Sequence, residues 1–213
     1  MTTRLQFYNL ALLFSGERSL ASLTEAREPR RLLDQVWDTG GVKKCLEMGQ
    51  WIFAMRTMQI DYDPDLDPQF GFQRAFSKPS DWCATSAVCS DEYFREPLIQ
   101  YVDEAGYWYA DLDTIYVRYV SDDDQYGADL NSWPGWFEDL VACFFSHRII
   151  WKLSGSDDKV NQSEKRLEKF LKIAQNRNMQ ASPTKFPPAG SWSRSRIRNS
   201  RISDGGPTTG NLY

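Results

Sequence analysis

Three arginines alternate with other residues late in the chain, at Arg194, Arg196 and Arg198. Successive side chains of an extended strand point to opposite faces, so these three guanidinium groups would share one face. Guanidinium groups bind carboxylates and phosphates through forked hydrogen bonds, and Trp192 just ahead would serve as an aromatic anchor. We expect a partner-binding site here, with Arg201 and Tyr213 as further contacts.

The segment that carries these arginines, residues 182–213, differs from the rest of the chain in charge and composition. It holds five basic residues and one acid, whereas the other 181 residues hold 20 basic and 28 acidic side chains. Its Pro, Gly and Ser content is too high for a packed core, which predicts an extended arm that orders on a partner. At ~3.3 Å per residue the arm would span roughly 100 Å. A solubilising tail is the alternative.

No catalytic motif is legible in the remaining sequence. A Gly-rich phosphate loop, a G-x-S-x-G elbow and an H-E-x-x-H pair are all missing. The single histidine, His147, falls in a helical pattern and is interpreted as a partly buried helical residue. Many carboxylates are present, so a two-carboxylate hydrolase stays open, but no pair stands out. We expect no catalytic residue and no cofactor.

Metal-ligand patterns are incomplete. Asp61, Asp63, Asp65 and Asp67 alternate like the start of a calcium loop, but Leu66 and Phe72 occupy the positions of its turn glycine and its bidentate glutamate. Asp122, Asp123 and Asp124 are interpreted as an exposed turn. The four cysteines have no zinc-site spacing and are expected to be free thiols of a protein that folds in a reducing cytoplasm.

The apolar periodicity predicts an α+β, mainly α fold: a helical bundle with an inserted antiparallel β region and an extended C-terminal arm. Residues 1–181 would form one domain, in which neither a signal peptide nor a membrane span is recognised. Helices are predicted over about 4–15, 29–60, 134–154 and 156–181 of this domain. Gly16 and Gly155 would end the first and the third helix, Ser156 would cap the fourth, and Gly40-Gly41 would break the second.

The β region is expected over about 61–129, where proline punctuates short runs of β-branched and aromatic residues. Three strands are predicted, at 98–102, 107–111 and 114–120. The first two would form a hairpin through the turn Asp103-Glu104-Ala105-Gly106. The two helices after Pro134 are expected to pack as an antiparallel hairpin.

Several short motifs keep a characteristic order along the chain. They are Asn9-Leu10-Ala11-Leu12-Leu13 through Gly16-Glu17, Leu20 to Leu23, Trp51-Ile52-Phe53-Ala54, Gly71-Phe72, Ala75-Phe76, Pro79, Asp81, Tyr119 before an acidic turn, Trp133-Pro134, Phe137, Gly190, Trp192 and Arg196. In this order they resemble the adaptor proteins of tailed bacteriophages, of the tail tubular protein A type. The resemblance covers about residues 5–198. Trp82-Cys83 and Gly40-Gly41 depart from the commonest pattern.

The resemblance implies a structural virion protein at the head–tail junction. About twelve copies would form a ring beneath the portal protein ring, seal the packaged head and line the channel through which DNA is ejected. Its partners would be the portal, other copies of itself and a tail tube or nozzle protein, without membrane insertion. The C-terminal arm would reach into or along the portal.

Two other functions remain open at this point. One is a peptidoglycan-degrading tail-associated enzyme, and the other is a nucleic-acid-binding module that acts through the Arg-rich arm. The net charge of −8 on residues 1–181 opposes broad adhesion to DNA. The same charge would suit a channel wall along which DNA slides.

Overall fold

The structure is a computed structural model, and residues 3–66, 68, 71–104 and 106–182 are described here. The chain divides into a body, residues 1–182, and a second unit, Pro183–Tyr213, whose residues lie outside the described ranges. The described part of the body is an α+β, mainly helical unit. Its elements are α1 (Arg4–Ser15), α2 (Glu28–Asp38), α3 (Gly41–Glu47), a 3-10 turn (Ile52–Ala54), β1 (Met55–Asp61), β2 (Arg74–Ser77), β3 (Trp82–Cys89), β4 (Val102–Glu104), β5 (Tyr107–Ala110), β6 (Thr114–Ser121), α4 (Gly135–Ser154) and α5 (Asp157–Ala181).

Helix α4 is the centre of the bundle, because half of its twenty residues are buried. Helices α1, α2, α3 and α5 all pack against it. Two residues, Gly155 and Ser156, separate α4 from α5, and so short a connection makes the two helices run antiparallel. The hydrogen bond between His147 and Ser163 joins them near their connected ends.

Aromatic rings fill the core between these helices. Phe7 of α1 meets Phe145 of α4 edge to face at 5.1 Å and Trp133 at 5.8 Å, and Phe137 meets Trp133 edge to face at 5.3 Å. Such edge-to-face pairs stabilise a core by ~0.5–1.5 kcal/mol beyond the burial of their area. The helical core therefore fixes how α1 and the start of α4 meet.

The six strands form two antiparallel sheets, with the orders β1-β6-β3 and β2-β5-β4. Side chains from both sheets make one buried cluster, which includes Phe76 of β2, Trp108 of β5, and Ile115 and Val117 of β6. The sheets therefore bury a face against each other. Val120 and Cys83, at the ends of β6 and β3, instead join the helical core. The inserted β region is thus continuous with the bundle.

Most helix predictions are confirmed. α1, α4 and α5 occupy the expected ranges within one residue, and Pro29 lies in the first turn of α2. Gly16 and Gly155 end their helices in the left-handed conformation, with φ of +76° and +59°. Ser156 is the N-cap of α5, but its side chain makes no capping hydrogen bond.

The predicted helical continuation to residue 60 is wrong. Helix α3 ends at Glu47, and Met55–Asp61 is strand β1, paired along its whole length with β6. The Trp51 indole N–H donates to the Cys45 carbonyl at 3.0 Å, which closes the end of α3 and turns the chain. The Met, Arg and Gln side chains of β1 have good helix propensity, so their strand conformation comes from pairing with β6.

The predicted strand at 98–102 is also wrong. β4 covers Val102–Glu104, so Asp103 and Glu104 lie in the strand and not in the turn. The hairpin with β5 is confirmed, and Gly106 in its turn has a φ of +85°. Strands β2 and β3 were not predicted, since the small residues of β3 show no alternation and its pairing with β6 shifts register twice.

Among the described helices, none combines the length and apolar character that are needed to cross a bilayer.

Candidate functional site

The residues predicted to bind a partner all lie outside the described ranges. The structure therefore neither brings them together nor separates them. They are Trp192, Arg194, Arg196, Arg198, Arg201 and Tyr213. The described body offers three polar clusters and two exposed surfaces as candidate sites.

The first cluster is the pair His147 and Ser163, which links α4 to α5. The His147 Nδ1 and Ser163 Oγ atoms are 2.9 Å apart, and the Ser163 hydroxyl donates to the Val160 carbonyl at 2.7 Å. Since a hydroxyl has a single proton, its donation to the Val160 carbonyl makes Ser163 Oγ the acceptor of a bond from Nδ1–H. In that arrangement His147 does not take a proton from Ser163, and the pair holds the two helices together. The prediction of a half-buried helical histidine is confirmed.

The second cluster surrounds Asp81, between the strands of the first sheet. Its carboxylate accepts hydrogen bonds from the Ser121 hydroxyl at 2.5 Å, from Arg56 at 2.9 Å and from the Tyr119 hydroxyl at 3.2 Å. Burial would raise the pKa of Asp81, but these bonds outweigh it and the pKa is lowered. The charged carboxylate thus joins β1, β3 and β6.

Burial beside this negative charge raises the pKa of Tyr119 above its ordinary value. Tyr119 therefore keeps its proton at neutral pH and acts as a donor. Ser121 donates to the Asp81 carboxylate, which also accepts from Arg56, so these contacts hold strands together. The cluster provides neither an activated nucleophile nor a neutral carboxylic acid for hydrolysis.

The lowered pKa of Asp81 predicts a pH-dependent effect of the Asp81→Asn variant. The ionised form stabilises the fold above the unfolded-state pKa, and this stabilisation is lost as pH falls through the lower folded-state pKa. We expect the variant to lose about 2 kcal/mol of unfolding free energy at neutral pH, and to lose less at about pH 3, where falling pH begins to protonate the carboxylate. Urea unfolding at both pH values measures this.

The exposed Asp124 of the neighbouring turn is the control, and Asp124→Asn should match the unmodified protein at neutral pH. An Asp81→Asn penalty of equal size at both pH values would contradict the charged role of Asp81.

The third cluster centres on Lys78, whose side chain is only 8% exposed. Its ammonium group pairs with the Asp103 carboxylate and lies 3.7 Å from the centre of the Trp82 ring. The other oxygen of Asp103 accepts from Thr85 at 2.7 Å and from the Trp108 indole at 3.1 Å. The cluster ties β3 of the first sheet to β4 and β5 of the second. These groups satisfy one another and hold the two sheets in register.

The acidic runs serve local structure. Asp63 accepts from the Asp65 backbone and the Ser77 hydroxyl, Asp61 accepts from Thr114, and Asp67 lies outside the described residues. The exposed-turn prediction for residues 122–124 holds only for Asp124. Asp122 and Asp123 are half-buried, and Asp122 pairs with Lys43 at 2.9 Å. Among the described residues, no group of three His, Cys, Asp or Glu side chains could hold a metal ion.

All four cysteines are free and buried, as the expectation of free thiols requires. Burial raises the pKa of the Cys143 thiol to about 11, and it raises the pKa values of the other three. A thiol that stays protonated at neutral pH is a poor nucleophile. These cysteines therefore fill core space.

The first exposed surface is a shallow groove between the end of α1 and the middle of α5. Phe14 and Phe170 meet at 5.4 Å on its floor, and Arg166 donates to the Phe14 carbonyl at 2.6 Å. The groove has a volume of about 550 Å³, and Gln162, Lys165 and Lys169 complete its lining. An apolar floor under cationic walls suits an acidic ligand that carries an apolar group.

The second surface is the acidic loop, residues 91–101, which leads into β4. The Asp91 carboxylate accepts from the Arg95 and Glu96 backbone N–H groups at 3.0 and 2.9 Å, and these bonds, above all the one from Glu96, lower the pKa of Asp91. Phe94 has a φ of +56°, which is strained for this residue type, and Arg118 packs over its ring at 4.4 Å. The loop is therefore held in one conformation.

This fixed loop presents apolar side chains to solvent. Tyr93 is 69% exposed and Ile99 is 94% exposed, next to the exposed acids Glu92 and Glu96. Sequence reasoning missed both surfaces. The groove could have been found from Lys165 and Lys169, which are four residues apart on one helix face beside Phe170. The loop could have been found from Tyr93 and Ile99, two bulky residues that flank Pro97 in a segment with Glu92 and Glu96.

The chain was compared with models of known protein families and with curated proteins, and neither comparison found a match.

Proposed function

We propose that this protein is the subunit of a ring that joins the portal of a tailed bacteriophage to its tail. The observation that carries the proposal is the architecture itself: a helical bundle, a β region inserted between α3 and α4, and a basic segment after α5. The ordered motifs from Asn9 to Arg196 supply the resemblance to portal-to-tail adaptors. The function is thus one of assembly.

The buried polar clusters support a structural role. Asp81, Lys78 and His147 each form a hydrogen bond or an ion pair with a group on a neighbouring strand or helix. This internal use of the polar groups favours a rigid subunit over the peptidoglycan-degrading alternative.

The charge distribution supports a channel wall and a separate docking element. Residues 1–181 carry a net charge of −8, which would repel DNA phosphates and let DNA pass through the channel without binding its wall. Residues 182–213 carry a net charge of +4, which would serve contact with the portal. A nucleic-acid-binding module would be expected to have the opposite balance on its body.

We expect the free protein to be a monomer or small oligomer, since an arm that orders on binding makes the portal the template for the ring. On the portal the arm would supply contacts through Trp192 and the arginines, and the ring of about twelve copies would face a tail tube or nozzle protein.

Disruption of the gene in the phage that encodes it tests the proposal. The expected product is a tailless head that fails to retain its packaged DNA, and the intact gene supplied in trans during infection should restore infectious virions. Complementation with His147→Ala should restore infectivity nearly fully, because the lost helix contact changes stability by only about 1 kcal/mol. Normally tailed particles from the disrupted gene would contradict the proposal, as would peptidoglycan digestion by the purified protein.

A further inference from the structure

We propose that the acidic loop, residues 91–101, of one copy docks into the groove between α1 and α5 of a second copy. The ring in which this contact would repeat rests on the proposed function, whereas the contact itself is argued from the two surfaces. They differ from each other, so the contact is head-to-tail and a rotation that closes makes a ring.

Charge complementarity carries the first part of the argument. Lys165 and Lys169 are exposed on the groove walls, and the ion pairs among the described residues leave both of them out. The loop offers the exposed carboxylates Glu92 and Glu96. On a body with a net charge of −8, a cationic groove is a local exception that attracts the acidic surface of another copy.

Apolar complementarity carries the second part. Phe14 and Phe170 form an aromatic floor in the groove, and Leu13 beside Phe14 is 71% exposed. The loop presents Tyr93 and Ile99, and an isoleucine that is 94% exposed loses apolar contact with water only when a partner covers it. Each surface thus combines apolar side chains with charges whose sign is opposite to that of the charges on the other surface.

The loop is also preorganised for docking. The Asp91 carboxylate holds the backbone of Arg95 and Glu96, and the Leu98 N–H donates to the Val88 carbonyl at 2.9 Å. Because this conformation already exists in the free protein, docking need not order the loop, which lowers the entropic cost of association.

A duplex of nucleic acid is the less favoured occupant of the groove. Exposed Glu164 and Glu168 lie one helical position before Lys165 and Lys169, so an acidic row runs beside the basic row along α5. Such a row repels a duplex, whose phosphates extend along the whole row, more strongly than it repels a short loop with two carboxylates.

Crosslinking of two single-cysteine variants of the full chain tests the contact, with Ile99→Cys in one protein and Gln162→Cys in the other. The native cysteines are buried, so a short bis-maleimide reacts at the new positions. We expect the mixture to give a 99–162 heterodimer at least tenfold more abundantly than a mixture of Ile99→Cys with Met179→Cys. Met179 is 73% exposed on the same helix but lies outside the groove lining.

An exchange of the groove's lysines and the loop's glutamates gives a second test of the same contact. Lys165→Glu with Lys169→Glu in the groove protein should reduce the crosslink at least tenfold, and Glu92→Lys with Glu96→Lys in the loop protein should restore it. Equal crosslinking at 162 and 179, or no restoration, would overturn the proposal. Competition by a DNA duplex that abolishes the crosslink at low salt would also overturn it, and would assign the groove to phosphates.

The same mixtures bound to portal rings separate this inference from the proposed function. Portal binding without the 99–162 crosslink rejects the loop contact and leaves the adaptor function in place. The crosslink in solution without any portal binding supports the contact and counts against the adaptor function.

Discussion

Truncation after Ala181 is expected to lower the affinity for portal rings by at least 100-fold while the body stays folded. The truncation removes Trp192 and the three alternating arginines, and the buried clusters of the body are built from residues up to Ala174. A desolvated charge pair lost at an interface costs about 2–5 kcal/mol, whereas a pair at an exposed rim costs about 0–1 kcal/mol. Titration of portal rings at low and high salt measures the loss.

Neutralisation of the three arginines separates the contribution of the arm's charge to portal binding from the contribution of its length and of Trp192. The triple change Arg194→Gln, Arg196→Gln and Arg198→Gln should weaken binding less than truncation, and mostly at low salt, since it leaves Trp192 in place. A control with the same loss of charge on exposed body residues is Arg31→Gln, Lys152→Gln and Arg177→Gln, which should bind as the unmodified protein does. Equal binding by the truncated and full-length chains at both salts would make the arm a solubilising tail.

The Gly127→Ala variant is expected to lose about 3 kcal/mol of unfolding free energy, the largest stability effect we predict. A Cβ atom at this position would lie 2.3 Å from the Ser121 carbonyl oxygen and 2.9 Å from a methyl group of Leu46. That carbonyl also accepts the Gly127 N–H at 3.1 Å, and the Gly127 carbonyl accepts the Trp133 indole at 2.8 Å. The added methyl group therefore displaces the end of β6 from α3 and from the start of α4.

The matched control is Gly135→Ala, because a Cβ atom there meets nothing within 4 Å. Gly135 is the first residue of α4, where alanine should be neutral or stabilise by up to about 1 kcal/mol. Urea unfolding of the two variants compares them. Similar stability of both would show that the junction of sheet and bundle tolerates the extra volume.

The helices could be predicted because their signals are local. Gly16, Pro29 and Gly155 mark helix ends through backbone conformation alone, and the apolar residues of α2 recur with the helical period. The same local rules failed for β1, where Met55, Arg56, Met58 and Gln59 have good helix propensity. Only the distant strand β6 makes this segment extended, and no nearby residue encodes that pairing.

The clusters inside the β region could not be predicted from sequence for the same reason. Lys78, Thr85 and Asp103 are distant in the chain and meet only after the two sheets have paired. The acidic triplet at 122–124 looked like a solvated turn, because nothing local indicates that Lys43 would reach Asp122. The arm residues remain predictions, since they lie outside the described ranges.

Sedimentation of the purified full-length protein with and without portal rings from the same phage tests the adaptor function most directly. We predict a slowly sedimenting monomer or small oligomer alone, and a saturable shift of the portal ring that levels off at about twelve bound copies. Portal rings that sediment unchanged at saturating concentrations of the protein would contradict the account.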